Sequence, residues 1–465
     1  MNVTIHMSYF NVMNYHFIAI GGSAMHNLAI ALHLKGDVVT GSDDEIFEPS
    51  KGRLKKYGLL PSKIGWDSRL INNEIDAVIL GMHARENNPE LIAAQELDIP
   101  IYSYPEFIYE QTKQQTRIVV GGSHGKTSIT SMILHVLKLN DVDHNYMVGA
   151  QLDGFECMVK LSDKPKIAVL EGDEYLSSPI DRRPKFHLYH PDIAVISGIA
   201  WDHINVFPTF ENYIEQFKIF AEAISNDGSL FYCSNDARLV NMVSSVQNSC
   251  FKKSYTTHSH LIDNGVTVLI DEMGNEIPIE VFGEHNLQNL KAAQLVCKAV
   301  GIDDSSFYKA IKTFKGASKR LELVRKGETC SFYKDFAHSP SKLRATTKAL
   351  KKQFKNRTLI ACMELHTFSS LNKEFLKEYN QTMIDADEAY IYFNRDTIKH
   401  KKLDDISEED VFNSFGSKNV TVLTSSEELL KIIVNKKWEN KNLLMMSSGN
   451  FDGVDFKDLG AKIID

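Results

Sequence analysis

Apolar runs of strand length recur along the chain at residues 17–20, 76–80, 118–120, 167–170, 193–197, 358–362, 389–393 and 443–446, with helical spacing of apolar residues between them. Runs that are apolar throughout, rather than alternating, suit parallel strands covered on both faces. The pattern predicts βα units and an α/β fold with doubly wound sheets. In such sheets ligands bind beyond the carboxyl ends of strands, so the chemistry is sought just after each run. Residues 254–278 break the pattern. They read as a small β-rich excursion with turns at Asn264 and Gly265 and at Gly274 and Asn275. A polar stretch at 110–116 and the interruption of a helical pattern by Gly316 divide the chain into 1–112, 113–316 and 317–465.

Composition narrows the class. A chain of 465 residues exceeds what one core holds, and 43% hydrophobic with 24% charged residues is ordinary for a globular protein. The 52 basic against 60 acidic side chains give a formal charge of −8, which disfavours nucleic acid as a partner but not a nucleotide held at one loop. Six widely spaced cysteines form no C-x-x-C pair, so they are expected reduced and buried rather than in a zinc site or disulfides. No run of about 18 apolar residues is present and the start carries no secretion signal, so no membrane partner and a cytoplasmic protein are expected.

The densest chemistry follows the run 118–120, where Gly122, Ser123, His124, Gly125, Lys126, Thr127 and Ser128 lead into a helical stretch, 129–139. The general G-x-x-x-x-G-K-[ST] loop would need glycine at Val120, so this is a shortened variant. It keeps the essentials: backbone N–H groups and a helix N-terminus for phosphate, Lys126 for charge and Thr127 for Mg2+. The run 167–170 ends in Glu171, and 193–197 is followed by Asp202 and His203. Carboxylate and imidazole at strand tips suit Mg2+ on ATP, or else form a solvated turn and a packed histidine. His285 and Asn286 open a helix they could cap, or they could meet a nucleobase. Arg320 offers either a surface ion pair or a charge that reaches the γ-phosphate on closure. Gly21, Gly22 and Ser23, with Asp43 about twenty residues on, imitate a dinucleotide turn but lack G-x-G-x-x-G.

Taken in order, G-S-H-G-K-T, E-G-D-E, Asp202-His203, G-E-H-N-L-Q-N-L-K-A-A, the linker 314–322 and D-F-A-H-S-P resemble the Mur ligases, ATP-dependent amide-forming enzymes of peptidoglycan assembly. The resemblance implies three domains. They are a Rossmann-like N-terminal domain for the UDP-sugar, a central P-loop ATPase with a doubly wound sheet, and a Rossmann-like C-terminal domain for the incoming amine. Lys126, His203 and Arg320 are then catalytic, and Thr127, Glu171 and His203 hold Mg2+. The loop residues, with His285, Asn286, Asn289, Arg320, Asp335 and His338, bind ATP. Gly21, Gly22, Ser23, Asp43, His83 and Arg183 are then substrate-binding. The segments 171–191 and 447–453 are similar to the branch that joins UDP-N-acetylmuramate to L-Ala-γ-D-Glu-meso-diaminopimelate; the alternative acceptor is L-alanine. Three departures stand out: Ala19 replaces the first glycine of the N-terminal turn, His26 and Asn27 replace later ones, and Phe217 occupies the place of a carbamylated lysine.

Overall fold

The computed structural model describes residues 12–151, 154–201, 206–317 and 320–464. They form two compact units, each discontinuous in sequence. The first comprises the chain up to Val119, Asp143–Ile193 and Ala223–Gly228; the second comprises Val120–Val142, Ala194–Glu222 and everything from Ser229 onward. Among the described residues no helix is long and apolar enough to cross a membrane.

In the first unit β1 (Asn14–Ile18), β2 (Val38–Ser42), β3 (Ala77–Leu80) and β4 (Ile101–Ser103) form a parallel sheet of order β2-β1-β3-β4. The order reverses between β1 and β3, which places the ligand crevice at their carboxyl ends. The run expected as strand 17–20 stops at Ile18 because Ala19 takes φ 69, a left-handed conformation that strand pairing cannot use.

A seven-stranded sheet contains β5 (Thr116–Gly121), β6 (Asn145–Met147), β7 (Val159–Lys160), β8 (Ile167–Glu171), β9 (Ile193–Ile196), β10 (Ser229–Cys233) and β11 (Phe251–Tyr255), in the order β11-β10-β9-β5-β8-β6-β7. Arg117 secures the entry into β5. It is 8% exposed, and its guanidinium donates to the carbonyls of Gln115 (3.0 Å), Lys113 (3.0 Å), His190 (2.9 Å) and Tyr189 (3.1 Å) and pairs with Asp192 at 3.1 Å. Replacing it with Met strands these acceptors and a carboxylate. Arg117→Met is expected to destabilise by about 3–5 kcal/mol in denaturant unfolding, and a loss under 1 kcal/mol would show that water satisfies them.

The excursion begins later than expected, since Tyr255 still belongs to β11. β12 (His260–Asp263), β13 (Val266–Ile270) and β14 (Glu276–Ile279) form an antiparallel meander, with Asn264 (φ 47) and Gly265 (φ 79) making its first turn as a positive-φ pair.

The last sheet contains β15 (Glu322–Lys326), β16 (Ser331–Asp335), β17 (Thr358–Leu365), β18 (Glu388–Phe393), β19 (Val420–Leu423) and β20 (Lys441–Met446), ordered β15-β16-β20-β17-β18-β19 and parallel except for β15. Along β17, Leu359, Ala361, Met363 and Leu365 enter one apolar cluster while Ile360 and Cys362 enter another. Both faces are therefore covered, which is why its sequence does not alternate. Helix Pro340–Gln353, which follows β16, meets helix Glu284–Ala299: Lys352 and Lys348 bond Glu284 at 2.9 and 3.4 Å, and a Cβ on Gly283 would strike Ala349 at 2.6 Å. Gln353 also bonds Gly265 (2.7 Å) and Thr267 (3.2 Å) of the meander. The α/β architecture with parallel-rich sheets is borne out, and all six cysteines are buried and free.

Candidate active site

β5 delivers the chain into the glycine loop, and helix Lys126–Leu139 leaves it. The turn needs glycine at both ends: Gly122 has φ 129 and Gly125 has φ 78. A Cβ on Gly122 would run into the Ser197 hydroxyl, and one on Gly125 into the Asn289 amide oxygen. The loop is tied to the residues after β9. Ser123 N–H and its hydroxyl both donate to Gly198 O (3.0 and 3.1 Å), Ala200 N–H donates to Ser123 Oγ (2.7 Å), and Ser197 Oγ donates to His124 O. Lys126 Nζ donates to Gly122 O at 2.8 Å, which folds the ammonium over the loop. No side chain caps the helix, so its N-terminal N–H groups face the loop's concave side.

Helix Glu284–Ala299 brings Asn289 against Gly125. His285 is partly exposed, and desolvation by the groups around it, then the charge of His124, lowers it to about 4, so its imidazole is neutral at physiological pH. The expected alternative of helix capping does not occur: the N-cap is Gly283, with no side-chain bond, and Asn286 instead donates to Phe282 O at 2.9 Å. Asn286 lines a cavity of about 100 Å³ with Ser128, Phe314, Gly316, Arg320 and Tyr333. The Arg320 guanidinium lies 4.8 Å from the centre of the Phe336 ring. Asp335 accepts from Leu321 N–H (2.5 Å) and Ala337 N–H (2.6 Å). Burial raises its carboxyl, opposed by Arg320 and these donors. His338 accompanies them, its Nδ1 2.7 Å from Phe336 O and its ring edge-on to Phe336. The glycine loop with its helix, helix Glu284–Ala299 and Arg320 thus converge. Ser197 and Phe336 are the contributors that motif reading missed. Ser197 stood at an expected strand tip, but nothing local marks its hydroxyl as the clasp of the loop.

In the first unit Asp43 does not stand free in the crevice. It is 3% exposed and accepts from Gly21 N–H at 2.7 Å, fixing the turn that Gly22 and Ser23 continue. Burial raises its carboxyl. His83 is exposed just beyond β3, and Arg183 is held by Asp181 (2.7 Å) and Glu106 (3.5 Å) on a loop closed by a Leu176–Pro184 bridge. The structure thus brings Gly21 and Asp43 together but gives Arg183 partners of its own. His26 and Asn27 act as internal ties: His26 Nδ1 meets Gly22 O (2.9 Å) and Ser50 Oγ (3.1 Å), and Asn27 Oδ1 accepts from Met158 N–H (3.1 Å).

Of the expected Mg2+ ligands, Thr127 is buried at the helix start, and Glu171 is 7% exposed at the end of β8, accepting from Gly149 N–H at 3.1 Å. His203 lies outside the described residues. Among the described residues no group of three or more His, Cys, Asp or Glu side chains forms a self-sufficient metal cage. A nucleotide-borne Mg2+ needs none, since it takes one or two protein ligands and keeps phosphate oxygens and waters.

Comparison with known proteins agrees with this geometry. The profile of the Mur ligase family catalytic domain matches residues 14–116, and that of the Mur ligase middle domain matches 120–297. A UDP-N-acetylmuramate–L-alanine ligase of Clostridium kluyveri is 31% identical over 382 residues, covering 78% of this chain and 80% of that protein. Two solved structures share the fold. UDP-N-acetylmuramate–alanine ligase of Thermotoga maritima has TM-score 0.68, 21% identity and coverage of 97% and 98%; murein peptide ligase of Psychrobacter arcticus has TM-score 0.62, 22% identity and coverage of 96% and 99%. A glycine loop clasped by Ser197 and Asn289, within matched segments that together span most of the chain, leaves one family: this chain is a Mur ligase, an ATP-dependent amide ligase of peptidoglycan synthesis.

Proposed function

We propose that the chain joins an amine to the lactyl carboxylate of UDP-N-acetylmuramate, with 1–112 receiving the sugar nucleotide, 113–316 the ATP and 317–465 the amine. A carboxylate oxygen attacks the γ-phosphorus and ADP leaves. The amine nitrogen then attacks the acyl carbon of the acyl phosphate, phosphate departs and the amine gives up a proton. The observation that carries this reading is the Lys126 ammonium folded over the glycine loop, two residues before Ser128, which lines one cavity with Asn286 and Arg320. In this reading Lys126 offsets charge on the transferring phosphoryl group and Arg320 approaches it from the linker. Neutral His285, Asn286 and Asn289 orient the adenine side, and Asp335 fixes the linker backbone beside Arg320. Thr127, Glu171 and His203 would hold Mg2+, which would spread the phosphate charge. Dependence on ATP favours the cytoplasm.

For the acceptor, L-alanine is the first reading, because the Clostridium kluyveri relative carries that activity in its name. The peptide L-Ala-γ-D-Glu-meso-diaminopimelate is the second. The closed loop 176–184 favours it as a segment similar to that of the tripeptide-adding branch, with Arg183 held in place there by Asp181 and Glu106. One set of incubations with ATP, Mg2+ and UDP-N-acetylmuramate, offering L-alanine or the tripeptide and weighing the products by mass spectrometry, decides between them. ADP release with neither acceptor, or with no sugar nucleotide, would count against both.

A further inference from the structure

Three consecutive residues after β9 form the strap that holds the glycine loop. Gly198 O accepts from the Ser123 N–H and hydroxyl, and Ala200 N–H donates back to Ser123 Oγ. The residue between them turns the other way: Ile199 N–H donates to Asp236 Oδ2 at 2.7 Å. β9 ends at Ile196, and residues 198–200 belong to no strand or helix. Side-chain bonds, rather than a strand ladder, therefore set where this backbone lies.

Asp236 comes from the neighbouring strand exit. β10 lies beside β9 and ends at Cys233, and Asp236 opens the helix that follows, Ala237–Ser244. Its Oδ1 accepts from Arg238 N–H (3.0 Å) and Leu239 N–H (3.2 Å), which caps that helix. A cap uses one side-chain oxygen. The second oxygen, Oδ2, goes to the strap. A Cβ on Gly198 would stand 2.5 Å from His124 Nε2 and 3.6 Å from Asp236 Oδ2, so the glycine loop and Asp236 close on the same residue from two sides.

We propose that Asp236 is a positioning residue for ATP. By holding Ile199 N–H it fixes Gly198 O and Ala200 N–H, and through them the Ser123 end of the loop whose backbone N–H groups receive phosphate. It acts through Ser123 and not on the nucleotide itself. The proposal rests on the reading of the glycine loop as the ATP site.

Asp236→Asn and Asp236→Ser test it, since each keeps a favoured N-cap side chain but offers one acceptor oxygen in place of two. Calorimetric titration of the full chain with Mg2+ and the ATP analogue AMP-PNP is the measurement. Both variants are expected to bind the analogue about tenfold more weakly or worse, the loss of one hydrogen bond to a charged group. Their thermal midpoints should stay within about 4 °C of the parent. Affinity for UDP-N-acetylmuramate, measured with AMP-PNP saturating, should hold within about twofold. Asp455→Asn, a change at the cap of helix Phe456–Ile463, should leave both affinities unaltered. Parental AMP-PNP binding in both Asp236 variants, equal losses for the two ligands, or the same loss in Asp455→Asn overturns the proposal. Lys126→Ala separates it from the reading beneath it. If that variant binds AMP-PNP like the parent, the loop assignment fails and takes the role of Asp236 with it; if it binds weakly while both Asp236 variants bind normally, only Asp236 is misassigned.

Discussion

Lys126→Ala is expected to lower ATP-dependent product formation at least a hundredfold with the fold intact. The ammonium is the one positive group that the loop itself presents, donating to Gly122 O at 2.8 Å with no ligand present. An entering γ-phosphate would offer this donor a charged oxygen in place of a neutral carbonyl. Removing one preorganised charge of this kind typically costs about 3 kcal/mol in the transition state. Steady-state ADP release, with circular dichroism as the check on folding, is the measurement. A variant that turns over within a few-fold of the parent would sink the assignment of the loop.

Gly122→Ala should be nearly as damaging by a different route. Its Cβ would collide with the Ser197 hydroxyl and stand 2.9 Å from the Ser197 backbone nitrogen, at φ 129, where an L side chain is strained. The neighbour is a backbone atom of β9's exit rather than a flexible tip, so the loop has to move. We expect turnover to fall by about two orders of magnitude and stability by about 1–3 kcal/mol, with the Km for ATP rising because the backbone donors no longer converge. Full activity would mean that the loop reshapes around ATP and that its resting form is irrelevant.

The long parallel strands were legible in the sequence because burial on both faces removes all alternation. β17, β18 and β20 each send successive side chains into opposite apolar clusters. Short or partly polar strands such as β6, β7 and β11, with Lys252, Lys253 and Ser254 in the last, carried no such mark. The end of β1 was misjudged because Ile20 is as apolar as Ile18, and only φ at Ala19 ends the pairing. In the candidate site, motif spacing singled out Lys126, His285 and Arg320, and the family resemblance added Asn289, but neither gave the partners that fix them. Ser197 acts on residues more than seventy positions earlier in the chain, and Asp43 turned out to tie down Gly21. Such pairings are tertiary facts, with no periodicity to announce them.

The contact between Glu284 and the lysines of helix Pro340–Gln353 bears on how this enzyme could be rebuilt. Under the proposed assignment of 317–465 to the amine, grafting that segment from a relative with another acceptor is a route to new products. Yet Gln353 bonds Gly265 and Thr267, Ala349 lies against Gly283, and Lys352 bonds Glu284, the residue before His285. A donor segment with a bulky side chain at 349 would press on the turn at Gly283 that leads into helix Glu284–Ala299, the helix proposed above to serve the adenine. The transplant would then change the response to ATP before it changed the choice of amine. Successful chimaeras should keep the recipient's residues at 348–353 and take only the strand ends from the donor.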